Sequence, residues 1–422
     1  MSDIKNKSVL LSRKKLVVFF SLFCLFFNLK IKGVPLTSNI ILAGGGLIIF
    51  FTRLSFTPVL VCLNKSFCRL LLTYILIIFA ILLPMPINGN YDFSLLKVFI
   101  FNLVITFYAA FFCVYLVHKN KISLEELLKI CVWIFFVQMI ITTIFFINKD
   151  VMRTVYKYFD MGASINDRID NLFSYRAFGL GFGFDFGTAE LTCACLCGLH
   201  LYLTQKKKYF RWLCIVLFCS VAGILVARTM FVGIFSIFLF FLFHPCNLKM
   251  RKEKTVLYFL LFGICLFLIL INVVDWKKYE RTIRWAFDIF FQLASGNGVK
   301  SGSLHEITHK MIWYPGDFTF VFGDALFKPN GFQYKSTDVG YMRLILYFGV
   351  FGTFLMVLFI KKSGDSFFDE KKNKYLRYLI IFFVLFQLLF MYKIFYLLMD
   401  WFTLFITFNL YPYLNGKTKE KI

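Results

Sequence analysis

YRAFGLGFGFDFGTAE, residues Tyr175 to Glu190, runs without a break into LTCACLCGLHLYL, residues Leu191 to Leu203. The second half is apolar enough to lie in a bilayer. The first half carries Arg176, Asp185, Glu190 and four glycines. Whether this stretch crosses a membrane decides the fold, and the rest of the chain answers it. Apolar runs of about twenty residues recur from end to end, each able to cross ~30 Å of hydrocarbon as a helix. Of the 422 residues, 59% are hydrophobic and 20% aromatic, with a mean hydropathy of +0.74. A soluble domain of this length cannot hide so large an apolar share, because surface falls only slowly relative to volume. The chain reads as an all-α polytopic membrane protein, a single integral membrane domain over 1–422.

About twelve spans are expected, near 16–29, 36–52, 70–88, 94–117, 127–147, 177–203, 212–227, 229–244, 255–274, 339–360, 376–392 and 394–413. Asn28, Lys30 and Lys32 follow the first run with no small-residue cleavage site, so it reads as a span and not as a signal peptide. Gly44-Gly45-Gly46 interrupts the second span, and Arg228 splits the seventh from the eighth.

Charge gives the orientation. There are 47 Lys and Arg against 23 Asp and Glu, a net charge of +24. With a cytoplasmic N-terminus, KKKYFR (206–211), KMRKEK (249–254) and KKNKYLR (371–377) all fall on inner segments, as the positive-inside rule requires. The basic excess is therefore a topology signal. No nucleic-acid module accompanies it, so no nucleic-acid partner is expected. The same alternation puts two long loops, about 148–176 and about 275–338, on the outer face. All twelve cysteines fall in spans or inner loops, which leaves the outer surface without a disulfide frame. Cys193, Cys195 and Cys197 alternate along one helix, point to different faces, and read as small apolar residues.

The second long loop opens with DWKKYERTIRWAFDIFFQLAS (275–295), where Trp276, Tyr279, Ile283 and Phe290 share a helical face opposite Arg281 and Arg284. That pattern suits a helix lying in the membrane interface. Further on, HEITH (His305 to His309) matches HExxH, which on a helix sets two imidazoles and a general base for zinc. Here it follows the flexible polar stretch GNGVKSGSL, and only Asp317 or Asp324 offers a third ligand. An amphipathic surface helix is the expectation, with no metal and no cofactor.

Charges at membrane depth usually face a cavity or mark function. Asp185, Glu190, Arg228, Asp338, Arg343, Lys393 and Asp400 are such residues. All but Glu190 and Asp400 lie near the outer face in this topology, which predicts a polar cavity open to the outside. Snorkelling accounts for Lys393. Gly179, Gly181, Gly183 and Gly187 then permit a non-helical approach to the sixth span, tolerated where protein or water covers it. Arg176 is placed at the rim, where a planar fork of donors suits a phosphate. Asp185 and Glu190 are expected to point into the cavity.

Three local patterns resemble the bacterial O-antigen polymerases (Wzy-type), relatives of the O-antigen ligases. Arg176, ten residues and Gly187 look like the family's R-x10-G element; ARTMFVG (227–233) looks like its short turn between two spans. STDVGYMRLILYFGVFG (336–352) looks like the aspartate-led, glycine-ended segment that closes its second large loop. Ligases place His-Asn ahead of nine residues and GxxG; here Asp338-Val339 stand ahead of Gly349 to Gly352, which favours polymerase. A second R-x10-G is not evident, since eleven residues separate Arg284 from Gly296. The resemblance implies a GT-C-like architecture of about twelve spans in the bacterial inner membrane, both termini cytoplasmic and both large loops periplasmic. It implies a glycosyltransferase that moves the growing glycan from undecaprenyl pyrophosphate to the next lipid-linked repeat unit, with a chain-length regulator as protein partner. Arg176, Arg228, Arg343 and Arg284 would hold pyrophosphate, and Asp338 would act as base, with Asp185 and Glu190 in reserve. A polyprenyl-linked sugar flippase and a HEITH metalloprotease are the readings from other classes.

Overall fold

Helices carry most of the described chain, and among the described residues there is no strand, only isolated bridges. The computed structural model describes residues 2–53, 65–160, 174–205, 210–246, 276–296, 302–366 and 374–414. A backbone in hydrocarbon has no water to bond with, so it must satisfy its own N–H and C=O groups, as a helix does. In chain order the first helices are α1 (Ser2–Phe27), α2 (Ser38–Arg53), α3 (Lys65–Leu82) and a short α4 (Pro84–Asn88). Helix α5 (Ser94–Lys97) passes through a π turn (Val98–Asn102) into α6 (Leu103–Lys119). Then come α7 (Leu124–Ile147), α8 (Lys149–Tyr156), α9 (Phe184–Thr204), α10 (Phe210–Val226) and α11 (Met230–Phe243). The second long loop holds α12 (Trp276–Ala286), α13 (Asp288–Ala294), α14 (Gly302–Lys310) and α15 (Asp317–Phe322). Helices α16 (Gly340–Asp365), α17 (Lys374–Phe390) and α18 (Asp400–Leu414) complete the chain.

Among the described residues, five stretches are long and apolar enough to cross a membrane: Phe67–Asn88, Ser94–Lys119, Leu124–Ile147, Phe184–Thr204 and Gly340–Asp365. The chain is an all-α membrane protein. Ser38–Thr52, Phe210–Val226 and Met230–Phe243 are apolar but shorter. The expected ninth span, 255–274, the cluster 249–254 and the middle of the first long loop, 161–173, lie outside the described residues. Two helices start later than expected. The sixth span begins at Phe184 because 177–183 form a turn, and the last begins at Asp400 because 391–399 are irregular. Asp400 therefore stands at a helix N-terminus and not in mid-span.

Contacts between helix ends sort the connections into two groups. Lys15 Nζ reaches Glu126 Oε1 at 2.8 Å and Gln205 Nε2 reaches Glu125 Oε1 at 2.8 Å, joining α1, the start of α7 and the end of α9. Ser123 and Glu126 form a capping box that starts α7 at this end. At the opposite end, the amide of Lys32 donates to Tyr158 O at 2.8 Å, and Asn88 Nδ2 donates to Gly323 O at 3.0 Å. The α1–α2 connection, the α4–α5 connection and both long loops thus share one end, called here the loop end.

Helix α9 is the axis of the bundle. Every residue from Gly187 to Leu203 is buried, enclosed chiefly by α7, α10, α11 and α17. A span that meets protein on all sides needs no lipid-facing stripe, so it can carry polar groups that lipid would exclude. Cys193, Cys195 and Cys197 are all buried there. The Gly44–Gly46 run has a packing reason: a Cβ at Gly46 would lie 2.0 Å from the carbonyl oxygen of Tyr108. Helices α2 and α6 approach this closely only because that side chain is missing.

Candidate functional site

The opening turn supplies the first wall of the site. The amide of Gly179 donates to Phe182 O at 2.8 Å, closing the turn. Gln138 on α7 donates to Leu180 O at 3.0 Å, Tyr156 on α8 donates to Gly179 O at 3.1 Å, and the amide of Ala177 donates to Leu225 O at 2.9 Å. Ala177 to Gly179 and Phe182 of this non-helical backbone are buried under protein, which is the condition for placing it at such depth. Gly181 has φ 61°, and a Cβ there would lie 1.9 Å from the carbonyl oxygen of Phe27. Gly181→Ala is expected to destabilise the protein by about 1–3 kcal/mol through overpacking. The check is thermal unfolding in detergent, and an unchanged midpoint would refute this account of the turn. Phe184, the first residue of α9, is held at φ 54°, an uncommon conformation for a residue with a side chain.

Three arginines from three separate segments converge beside this turn. The guanidinium of Arg176 lies 4.7 Å from the ring centre of Trp285 and 5.7 Å from that of Phe184. Arg228, in the α10–α11 turn, lies 5.2 Å from the same tryptophan and reaches Asp288 Oδ2 with Nη1 at 3.3 Å. Arg281 lies 5.1 Å from Tyr175, whose ring is 5.5 Å from Trp285. Burial holds Arg228 below the ordinary guanidinium range, and the like charge of Arg176 adds to this against the pull of Asp288. Such a cluster of weakly hydrated, planar cations on aromatic faces favours an anion with several oxygens. Asp185 borders it: the Thr229 hydroxyl donates to Asp185 Oδ1 at 2.8 Å.

Arg284 is not part of the cluster. Its Nε pairs with Glu280 Oε1 at 2.8 Å and its side chain is 76% exposed. Arg281, one turn earlier, takes the place expected of it. The expected helix over 275–295 is also broken, with α12 ending at Ala286 and α13 starting at Asp288, where the pair with Arg228 forms. Thr282 and Ala286 are buried, so α12 packs against the bundle through its small residues.

A second cationic group lies at the start of α16. Arg343 is 7% exposed, its guanidinium sits 4.0 Å from the ring centre of Phe327, and its Nε and Nη2 have no hydrogen-bond partner. Lys328 is close by. Burial, and after it the charge of Arg343, holds its ammonium below the ordinary value. The Phe327–Lys328 backbone is clasped by Asp92, which accepts from both amides, at 2.7 and 2.8 Å. Burial raises the Asp92 carboxyl, yet these bonds and those from Ser94 outweigh it and leave the carboxyl below its ordinary range. Asp338 is half-buried and acts electrostatically on Arg343. It does not cap α16: the cap position is Val339, with no side-chain cap bond, and the Val339 amide donates to Thr337 Oγ1 at 3.3 Å.

The two cationic groups are joined through the α17–α18 connection. Phe186, next to Asp185, packs on Tyr396 with ring centres 5.1 Å apart, and Phe395 packs on Phe327 at 5.3 Å. Glu190 takes no part in the open face. It is 4% exposed and turned toward Tyr396 and Asp400, not into a cavity.

No family model, no curated protein and no solved structure matches the chain. The side chains themselves therefore carry the functional argument. In HEITH, the exposed His305 and His309 lie side by side on α14 with ring centres 4.2 Å apart and the rings tilted, while Ile307 is buried against Val339 and Met342. Asp324 is engaged by Thr319, Tyr334 and Lys335, and among the described residues no three His, Cys, Asp or Glu side chains gather as for a metal ion. Trp285, Arg281, Asp288, Lys328 and Tyr396 escaped the sequence reading as site residues. Only Arg281 carried a signal, its spacing of one turn from Arg284.

Proposed function

We propose that the protein is an O-antigen polymerase: a glycosyltransferase joining lipid-linked oligosaccharide repeat units at the periplasmic face of the bacterial inner membrane. In this reading about twelve spans, GT-C-like in arrangement, leave both termini in the cytoplasm and both long loops outside. The observation that carries it is the convergence of Arg176, Arg228 and Arg281 on Trp285 and Tyr175. The resemblance in sequence singled out two of those three arginines, and the sharing of one end by both long loops agrees with it.

In the proposed reaction, a sugar hydroxyl of the incoming unit attacks the anomeric carbon of the growing glycan. The bond to undecaprenyl pyrophosphate breaks, and the pyrophosphate leaves with the electron pair. The arginine cluster stabilises that developing charge, with Arg343, whose buried Nε and Nη2 have no hydrogen-bond partner, as a further donor. Asp338, beside Arg343, takes the proton from the attacking hydroxyl. No nucleotide sugar is consumed. The test is reconstitution: the purified chain in liposomes, supplied only with undecaprenyl pyrophosphate-linked repeat units, should yield a ladder of longer lipid-linked glycans. Release of one undecaprenyl pyrophosphate should accompany each new linkage. Movement of the lipid across the bilayer with no new glycosidic bond would replace this reading with that of a flippase.

A further inference from the structure

Glu190 lies seven residues into the central helix, 4% exposed, and the proposed reaction leaves it unused. Its Oε1 accepts from the Tyr396 hydroxyl and, at 3.0 Å, from the backbone amide of Asp400. Its Oε2 is buried with no hydrogen-bond partner. Asp400, half-buried, is the first residue of α18, and the bond to its amide brings a second carboxyl group into the neighbourhood of the first. The surroundings are rigid: Trp401 Nε1 donates to Glu190 O at 3.1 Å, and Gln387 donates to the carbonyls of Tyr396 and Leu397 at 3.3 and 3.1 Å.

Two adjacent carboxylates in a medium of low polarity repel, and an unpaired buried anionic oxygen is costly. No Lys or Arg among the described residues pairs with Glu190. Among the described residues the titratable groups facing the pair are Tyr396, from the α17–α18 connection, and Cys193, on α9 itself; Lys393, half-buried on that connection, pairs with neither carboxyl. Helix α11 has no charged residue. Those of α7 (Glu125, Glu126, Lys129), α10 (Arg211) and α17 (Lys374, Arg377) fall in their first two turns, at the end away from the loops. A carboxyl proton turns the orphaned Oε2 from an unpaired acceptor into a donor and leaves a single negative charge.

We propose that Glu190 and Asp400 share one proton, forming a proton-binding site in the membrane interior. The site fastens the start of α18 to α9. Loss of its proton sets two anions side by side and drives the Asp400 carboxylate, with the start of α18, away from Glu190. Tyr396 also packs on Phe186, next to Asp185, so the protonation state reaches the loop-end face. This inference does not depend on the glycan chemistry. The experiment is infrared difference spectroscopy of the full-length protein in liposomes at neutral pH, comparing the native chain with Glu190→Gln and Asp400→Asn. Both amides keep the shape and the hydrogen-bonding capacity of the carboxyls. The expected result is the loss of one protonated-carboxyl band per chain in Glu190→Gln, with the same band lost or shifted in Asp400→Asn. Retention of the band in both variants, or two such bands from this pair, overturns the proposal. So does a band that appears only when choline replaces sodium, because the occupant would then be a metal cation.

Discussion

Arg176→Lys should eliminate long glycan almost as completely as Arg176→Ala, with turnover down roughly 10²-fold or more, the usual loss for one oriented donor to a developing anion. The reason lies in shape as much as charge. Arg176 is a planar group held 4.7 Å from Trp285 and 5.7 Å from Tyr175, with Arg228 across the same tryptophan ring. Lysine keeps the charge but loses the flat face and the paired donors. Its more strongly hydrated ammonium is also costlier to strip of water beside a second cation. Glycan length on gels, with protein amounts matched by blotting, is the measurement. Full-length polymer from the lysine variant would mean that only positive charge is needed. Full-length polymer from the alanine variant would remove the cluster from the reaction altogether.

Asp338→Asn should leave the protein folded and inserted, abolish long glycan and let single repeat units accumulate on lipid. A general base contributes about 10²–10⁴-fold, and an amide cannot take the proton. Capping of α16 would have predicted normal polymer, because asparagine caps as well as aspartate. The structure removes that alternative, since Val339 occupies the cap position and Thr337 receives its amide. The substitution also strips Arg343 of a neighbouring negative charge, so substrate affinity and turnover should be read separately. Normal chain lengths from this variant would pass the base to Asp185, already hydrogen-bonded by Thr229 beside Arg228. Glu190 is no substitute at the open face, being 4% exposed.

Sequence alone determined the class of the molecule. Burial in a bilayer is nearly additive along the chain, so runs of apolar residues mark helices without knowledge of their neighbours. Gly179 to Gly187 likewise marked a departure from helix before Phe184, because missing side chains act locally on the backbone. Arg228 was legible as a site candidate because a charge at membrane depth is conspicuous wherever it points, and Arg176 because it precedes the glycine-rich turn at the spacing of the R-x10-G element.

Which charges meet was decided by the tertiary structure. Arg284 and Arg281 sit on one short helix, and only its packing turned Arg281 toward Tyr175 and left Arg284 paired with Glu280 in the open. Asp288 became the partner of Arg228 through a helix break at Phe287, sixty residues away in sequence. Asp400 became a helix start beside Glu190 because 391–399 do not continue as a helix. Pairings of this kind depend on distances of a few ångströms between segments far apart in the chain. A one-dimensional pattern of polarity carries no term for such distances; the packing of α9 against its neighbours sets them.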